Sequence, residues 1–201
     1  MKVIGVTGPS GAGKSVCCQY LEKHGIPWIN TDAVYHRLID SPSLCVAQLK
    51  DAFGTEIINE QDGVDRSVLS AIVFSDQTKQ KLETLNGITH KFVKAETLCL
   101  LDEYSKLGVA AATVDAPLLF EAGFDELCDL CIAVIASRDV RIERIVERDG
   151  ISRERASARV NAQKTDEYYT SRSKYTITND SDVKSVEDQV SVILSEEGLI
   201  S

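Results

Sequence analysis

One short segment near the start of the chain constrains its fold more than any other feature. Residues 8–15 read Gly-Pro-Ser-Gly-Ala-Gly-Lys-Ser, which fits the pattern G-x-x-x-x-G-K-S. An apolar run at 3–6 precedes this segment, and a helical pattern at 16–24 follows it. A strand, a glycine loop and a helix in this order predict a phosphate-binding loop, because glycines let successive backbone N–H groups converge on one anion.

Two side chains of this loop have chemistry suited to a phosphate site. Lys14 can reach the outer phosphates as a point charge, and the hydroxyl of Ser15 can bind Mg²⁺. The helix that follows adds the positive end of its dipole. The alternative is a glycine-rich turn before an ordinary helix, which the preceding strand and the position near the start of the chain disfavour.

The composition is that of a globular protein and limits the function classes. The chain has 201 residues, 43% of them hydrophobic, and a formal net charge of −9. This charge argues against general binding to nucleic acid or to a membrane surface. No apolar run approaches the roughly 20 residues of a membrane span, and we expect no signal peptide.

The cysteines point to a reducing compartment. There are six of them, and only Cys128 and Cys131 have a spacing that suits metal binding or redox chemistry. No second pair and no histidine accompany these two, so a zinc or thioredoxin-like role is the weaker alternative. We therefore expect free thiols that pack as small hydrophobes in a cytoplasmic protein.

Strand-like and helical patterns alternate along the chain, which predicts an α/β fold with a parallel sheet covered by helices on both faces. Five apolar runs are the expected strands: 3–6, 26–29, 109–114, 130–136 and 175–178. Residues 33–106 instead read as several helices with no strand of their own. We interpret this stretch as a helical insertion at the rim of the sheet.

Arginines are concentrated late in the chain. Eight of the ten lie between residues 138 and 174. Arg141, Arg144 and Arg148 have the spacing i, i+3, i+7, so they share one helix face. One interpretation is a pair of solvated amphipathic helices with scattered ion pairs. The other is an arginine lid over phosphates, a role that we expect for one or two of these residues.

Two carboxylates follow predicted strands. Asp32 follows the run 26–29, and at that edge of a parallel sheet it is placed to accept a proton or to hold Mg²⁺ through water. A helix N-cap is an equally good interpretation of Asp32.

Asp115 ends the run 109–114, where a Walker-B-like carboxylate would stand. Pro117 and Leu118 follow in a turn that can wall a pocket. Motifs typical of GTPases and of ABC-type ATPases are absent from the sequence.

Taken together, these segments resemble the dephospho-coenzyme A kinase family over nearly the whole chain. The resemblance rests on the order and spacing of several motifs, which are the opening 4–8 with its loop, 24–27 leading to Asp32, 53–54, 63–66 with Leu69, 72–74, the segment 115–121, Arg144 with Arg148, Asp149 and Gln163, and Asn179. The chain departs from the family's pattern at Asn30, His36, Lys91 and at 173–174.

The resemblance implies a P-loop NTPase-type three-layer fold with a parallel five-stranded sheet, a helical substrate-binding insertion and a helical lid. A single domain over 1–201 would contain a nucleotide-binding core, an acceptor subdomain and a lid. These parts are, in that order, 1–32 with 107–137 and 173–201, then 33–106, then 138–172.

The same resemblance implies an activity and a set of site residues. ATP would phosphorylate the ribose 3′-hydroxyl of dephospho-coenzyme A, with Mg²⁺, in the final step of coenzyme A synthesis. Asp32 is the expected base, Lys14 and Arg148 complete the catalytic set, and Ser15 is the expected Mg²⁺ ligand. The expected ATP-binding residues are Gly11, Ala12, Gly13, Lys14, Ser15, Val16 and Asn179. The expected acceptor contacts are His90, Asp115, Pro117 and Leu118.

Two other functions stay open. A nucleoside or nucleotide kinase of similar architecture would share the loop and differ in its acceptor. A non-catalytic module that senses ATP would bind the nucleotide and phosphorylate nothing. We expect a monomer, with ATP and dephospho-coenzyme A as its binding partners and with neither nucleic acid nor membrane among them.

Overall fold

A five-stranded sheet lies at the centre of the computed structural model, which describes residues 1–200. The strands, in chain order, are β1, Lys2–Thr7; β2, Trp28–Asn30; β3, Ala111–Asp115; β4, Leu130–Ile135; and β5, Tyr175–Thr178. Their order across the sheet is β2-β3-β1-β4-β5. The predicted parallel five-stranded sheet is confirmed.

The central strands are buried on both faces, which explains their continuous apolar sequence. Every residue of β3 is buried, as are all but one in β1 and in β4. β1 pairs in parallel with β3 on one side and with β4 on the other. Because the chain leaves β1 between these two neighbours, the segment after β1 emerges where strand order reverses, the usual place for a ligand in such sheets.

Residues 1–200 contain nine α-helices. In chain order they are α1, Lys14–Lys23; α2, Thr31–Ile39; α3, Leu44–Phe53; α4, Arg66–Phe74; α5, Gln80–Lys106; α6, Arg138–Asp149; α7, Arg153–Asn161; α8, Asp166–Thr170; and α9, Val183–Glu196. The chain divides into two compact units, of which the first comprises Met1–Ile29 and Glu103–Ser201 and the second Asn30–Asp102.

In the first unit, α1 and α9 bury their apolar faces against the sheet. The core that they share with the strands is made of large aliphatic side chains, including Ile4, Val6, Leu21, Ile132, Val134, Ile177, Val190 and Leu194. Burying each such side chain stabilises the fold by roughly 1.5–3 kcal/mol relative to leaving it exposed. The start of α1 is therefore held firmly at the end of β1.

The second unit has its own core, built by α2, α3, α4 and the part of α5 before residue 103. Its buried residues include Ile39, Val46, Leu49, Phe53, Ile57, Leu69 and Val73. Side chains cap the helices at their N-termini, since Ser43 accepts from Val46 N–H and Asp65 accepts from Val68 N–H. Helix α5 continues without a break through His90 and Lys91.

The arginine-rich segment forms α6, α7 and α8 in the first unit. Gly150 ends α6 in the left-handed conformation, at φ 63°, and Ser152 caps α7 by accepting from Arg155 N–H. A small apolar cluster joins α6 to α7, formed by Ile142, Ile145, Ala156 and Val160.

The structure also bears on the predictions of free cysteine thiols and of no membrane-spanning segment. All six cysteines are free thiols, and Cys17, Cys18, Cys45 and Cys131 are buried. Across residues 1–200, no helix combines the length and the apolar character that crossing a membrane requires.

Candidate active site

The glycine loop between β1 and α1 adopts a conformation that only glycine tolerates at three positions. Gly8, Gly11 and Gly13 have φ angles of 141°, 81° and 91°. A Cβ on Gly13 would lie 2.1 Å from Asn179 Nδ2, and one on Gly11 would lie 2.6 Å from Arg141 O. Close backbone packing and positive φ therefore both require the glycines of the motif.

Side chains outside the loop hold three successive loop carbonyls. Arg141 Nε donates to Ser10 O at 3.1 Å, and Arg144 Nη1 donates to Gly11 O at 3.4 Å. The next carbonyl, that of Ala12, accepts from Asn179 Nδ2 at 2.8 Å. These carbonyl oxygens are thus engaged by α6 and by the residue after β5, away from an anion that the loop amides would bind.

The loop runs directly into the N-terminus of α1, which begins at Lys14. Lys14 and Ser15 belong to the first turn of this helix, where the backbone N–H groups point toward the helix N-terminus. They carry the positive end of the helix dipole. Lys14 Nζ donates to Gly8 O at 2.9 Å, which places the ammonium over the loop, and Ser15 is exposed.

Asp115 lies beside the strand that leads into the loop. It ends β3, is buried, and is paired in register with Val6 of β1. Burial, and then the negative charge of Asp115, raise the pKa of the Cys17 thiol to about 12. The charge of Asp115 is therefore felt in the first turn of α1, and its Walker-B-like role stays a prediction.

The arginine face predicted on α6 contacts the loop through all three of its members. Besides the contacts of Arg141 and Arg144, Arg148 Nη2 lies 3.5 Å from Ser10 Oγ. The three residues differ in exposure, because the side chain of Arg141 is 7% exposed and that of Arg148 is 60% exposed. The prediction of one shared face is confirmed, and most of the exposed charge on it belongs to Arg148.

Asn179 follows β5 and is buried. Its Nδ2 binds Ala12 O, and its Oδ1 and backbone carbonyl accept from Arg144 at 3.1 and 2.9 Å. The predicted ATP-binding asparagine therefore contacts the loop and α6 directly. Its role toward ATP stays a prediction.

Asp32 and His90 belong to the second unit. Asp32 lies in the first turn of α2, exposed, two residues after β2 ends. The N-cap of this helix is Asn30, whose Oδ1 accepts from Ala33 N–H at 3.0 Å. The interpretation of Asp32 as the N-cap is therefore wrong. His90 is half-buried in α5, and its burial lowers the pKa of the imidazole.

Pro117 and Leu118 continue from Asp115 into a turn of the first unit, as predicted. Leu119 N–H donates to Ala116 O at 3.2 Å, which closes the turn, and Leu118 is 45% exposed. An apolar side chain this exposed beside the carboxyl end of β3 is available to contact a ligand. The acceptor role of these two residues stays a prediction.

The sequence predicts no separate role for Arg141 and Gln163, which both contact the loop. The spacing on α6 groups Arg141 with its neighbours, and Gln163 belongs only to the motifs of the resemblance. Gln163 Oε1 accepts from Ser10 N–H at 3.2 Å and from Arg141 Nη2 at 2.7 Å. No local pattern signals this pair, because Gln163 is 22 positions from Arg141 and 153 from Ser10.

A central parallel sheet, a glycine loop at the end of its middle strand and a lysine at the start of the next helix define the class of P-loop nucleotide-binding proteins. Comparison with known proteins narrows the class. The family model described as dephospho-CoA kinase matches residues 2–185.

Individual proteins agree with this match. The chain is 35% identical over 166 residues to a dephospho-CoA kinase of Dehalococcoides mccartyi, covering 83% of this chain and 82% of the relative. It is 31% identical to the Lactobacillus johnsonii enzyme of the same name, covering 97% and 98%. A solved dephospho-CoA kinase from Campylobacter jejuni superposes with a TM-score of 0.72 at 25% identity, and the match covers all of both chains. The chain belongs to the dephospho-CoA kinase family.

Proposed function

We propose that this protein transfers the γ-phosphoryl group of ATP to the ribose 3′-hydroxyl of dephospho-CoA, which gives CoA and ADP. Family membership supports this pair of substrates. The observation that carries the proposal is the loop backbone, in which the carbonyls of Ser10, Gly11 and Ala12 are all bound by side chains outside the loop. The N-terminus of α1 then offers its amides to a phosphate.

The phosphates of ATP contact the backbone from Gly11 to Val16 and the ammonium of Lys14. Lys14 Nζ already lies 2.9 Å from Gly8 O, at the loop itself. As the γ-phosphoryl group leaves, charge accumulates on the β–γ bridging oxygen, and a fixed cation there lowers the barrier. The buried Asn179 supports this arrangement from below the loop by holding Ala12 O.

Mg²⁺ fits the donors that this chain offers. Among residues 1–200 no group of three or more histidine, cysteine or acidic side chains could hold a metal. Mg²⁺ commonly keeps several waters and binds to substrate phosphates with one or two protein oxygens, so no protein cage is needed. We assign the exposed hydroxyl of Ser15 as a ligand and Asp32 as a contact through water. When bound, the ion neutralises charge on the phosphates.

Asp32 is assigned as the general base. Phosphoryl transfer through a loose transition state needs little covalent chemistry from the protein, and the attacking hydroxyl loses its proton late. An exposed carboxylate directly after β2 can orient the 3′-hydroxyl and accept that proton. Positioning the two substrates contributes roughly 7–11 kcal/mol to lowering the barrier, and Asp32 adds both the orientation of the hydroxyl and an acceptor for its proton.

Arg148 is assigned to the transferring group. Its side chain is 60% exposed and lies at the loop, near Ser10. A guanidinium presents paired donors that match phosphate oxygens. Arg148 therefore supplies charge to the transition state from the lid, and closure of the lid excludes water from the reaction.

The acceptor contacts are assigned in each unit separately. In the first unit they are Asp115, Pro117 and the exposed Leu118. In the second unit His90 contributes, and burial lowers its pKa and so favours the neutral imidazole at pH 7. We further propose that the enzyme acts as a monomer in the cytoplasm, where free thiols such as Cys17 persist.

The proposal is tested by supplying ATP and Mg²⁺ with one acceptor at a time and following ADP release with a coupled assay. Dephospho-CoA, AMP and adenosine are compared at equal concentration. We expect dephospho-CoA to give turnover at least a hundredfold above the other two. A preference for AMP or adenosine would identify a nucleotide or nucleoside kinase. ATP binding with no ADP formed, whichever acceptor is supplied, would identify a module that senses ATP. The Lys14→Ala variant, purified in the same way, controls for contaminating kinases.

A further inference from the structure

Arg141 on α6 has a buried side chain, which is unusual for a charged residue. It is 7% exposed, although the helix carries other arginines that face solvent. Burial lowers the pKa of its guanidinium, which reflects the cost of removing a charge from water. A buried guanidinium is tolerated only where several acceptors compensate it. The acceptors of Arg141 therefore indicate what the residue does.

The acceptors of Arg141 are the glycine loop itself and Gln163, which also binds the loop. Arg141 Nε donates to Ser10 O at 3.1 Å, and Arg141 Nη2 donates to Gln163 Oε1 at 2.7 Å. The same Gln163 oxygen accepts from Ser10 N–H at 3.2 Å. Both backbone polar groups of Ser10 are thus bound, and Gln163 and Arg141 are bound to each other. Asp166 lies 3.7 Å away and adds a weak ionic contact to Arg141.

The backbone of Arg141 also touches the loop. A Cβ added to Gly11 would lie 2.6 Å from Arg141 O and 3.0 Å from its Cα. Arg141 therefore binds Ser10 through its side chain, and its backbone packs closely against Gly11. Arg148 differs, because it is mostly exposed and its contact with the loop is to the side-chain hydroxyl of Ser10, not to the loop backbone.

This geometry determines the direction of the Ser10 peptide groups. With its carbonyl held by Arg141, Ser10 cannot turn that oxygen toward the phosphates, where its negative end would repel them. Preorganised dipoles contribute most when no reorganisation is needed on binding. We propose that Arg141 and Gln163 form a positioning pair for phosphoryl transfer, which acts through the backbone of Ser10 and without contact to phosphate. This inference rests on the proposed function, since it assumes that the loop binds nucleotide.

The test uses Arg141→Met, which removes the donors and keeps the bulk, and Gln163→Met, with the double variant. Arg138→Met is the matched control. Arg138 lies on the same helix, 53% exposed, and donates to Ser157 and Asn161 away from the loop. For each purified protein, ADP affinity is measured by calorimetry without acceptor, together with the melting temperature and the KM values for ATP and dephospho-CoA.

We expect Arg141→Met to weaken ADP binding and raise the KM for ATP by about tenfold, with the KM for dephospho-CoA changed less than twofold. Gln163→Met should show the same pattern. The loss of ADP affinity in the double variant should exceed the loss in either single variant by no more than about threefold, because the two residues act as a unit. Arg141→Lys should recover part of the affinity, and Arg138→Met should match the parent.

Three results would overturn the inference. A folded Arg141→Met protein that binds ADP within twofold of the parent would make the residue merely structural. A kcat reduced a hundredfold at unchanged KM for ATP would mean that Arg141 touches the transferring group. Fully additive losses in the double variant would mean that the pair does not act together.

If Arg141→Met does not fold, Gln163→Met and Arg141→Lys carry the same comparison. Because ADP affinity is measured without acceptor, a wrong acceptor assignment leaves this test intact, whereas a parent that binds no ADP refutes the proposed function itself.

Discussion

Arg148 donates two hydrogen bonds to the carboxylate of Asp149, its neighbour in the chain, at 2.7 and 3.1 Å. These bonds, with the one from Arg159 Nη1, hold the pKa of Asp149 down to about 2, so this carboxylate stays ionised at any physiological pH. The Arg148 guanidinium is thereby held at the end of α6, 3.5 Å from Ser10 Oγ. A phosphate that engages Arg148 must share it with Asp149 or displace that carboxylate.

The first prediction concerns this arginine. Arg148→Gln should lower kcat by about a hundredfold and change the KM for ATP by less than threefold, because the charge acts mainly in the transition state. Steady-state kinetics with dephospho-CoA measure both values. Arg153→Gln is the control, since Arg153 is exposed and pairs with Asp139 and Glu143. Equal losses in the two variants would remove Arg148 from the catalytic set.

The second prediction concerns the loop lysine. Lys14→Ala should cost about 3 kcal/mol or more of transition-state stabilisation, a loss of at least about a hundredfold in kcat/KM for ATP. Lys23→Ala, at the other end of the same helix, should behave as the parent, since its side chain is 69% exposed and pairs only weakly with Glu187. Turnover of Lys14→Ala within tenfold of the parent would contradict the role assigned to its ammonium.

The third prediction separates two roles of Asp32. Asp32→Asn should abolish turnover and leave ATP affinity within about threefold of the parent, because the amide cannot accept the proton. Calorimetry with a non-hydrolysable ATP analogue and Mg²⁺ measures the affinity. Asp51→Asn, at an exposed position of α3, is the control. A collapse of nucleotide affinity only when Mg²⁺ is present would make Asp32 chiefly a metal ligand.

The fourth prediction compares two glycines. Gly13→Ala should abolish nucleotide binding, because the added Cβ would lie 2.1 Å from Asn179 Nδ2 and φ is +91°. Gly87→Ala, inside α5 with nothing within 4 Å of the new Cβ, should raise the free energy of unfolding by about 0.5–1 kcal/mol. Chemical denaturation and ADP binding test the pair. Unchanged ADP affinity in Gly13→Ala would show that the loop is built differently.

The fifth prediction is a pH dependence of stability. Glu197 accepts from Lys174 Nζ and Lys2 Nζ at 2.6 Å each and from Tyr175 Oη at 2.8 Å, which lowers its pKa from 4.5 to about 2. A depressed carboxyl pKa stabilises the folded state above pH 4.5, and that contribution is lost as the pH falls toward 2. Glu197→Gln should therefore lower the free energy of unfolding at pH 7 by about 1–3 kcal/mol.

Denaturation of both proteins across this pH range measures the effect. The difference between parent and Glu197→Gln should shrink steadily below pH 4.5. Asp188→Asn, at an exposed position of α9, should show no such trend. A difference that stays constant from pH 7 to pH 3 would show that lost packing, and not the ionised carboxylate, explains the destabilisation.

The sheet was predictable because its strands are buried on both faces and therefore read as apolar runs. The second strand begins later than expected, at Trp28 and not at Ile26. The amide of Ile26 closes the end of α1 by donating to Leu21 O at 3.2 Å, and Pro27 has no N–H to give to a ladder. Such a competition between a helix end and a strand start has no separate sequence signal.

The site was predictable where local pattern determines geometry, as in the loop and in the shared face of α6. It was not predictable where distant residues meet. The sequence alone did not separate the two interpretations of Asp32, and the structure assigns the cap to Asn30. It also did not single out Arg141 among the arginines, because its burial depends on Ser10 and Gln163.

The central claim is that the γ-phosphoryl group of ATP ends on the ribose 3′-oxygen of dephospho-CoA. The most direct test is to incubate the protein with γ-¹⁸O-labelled ATP, Mg²⁺ and dephospho-CoA, and to identify the product by mass spectrometry and ³¹P NMR. The account predicts CoA that carries the label in its 3′-phosphate, formed in a one-to-one ratio with ADP. Label recovered as inorganic phosphate, or at any other position of the acceptor, would contradict it.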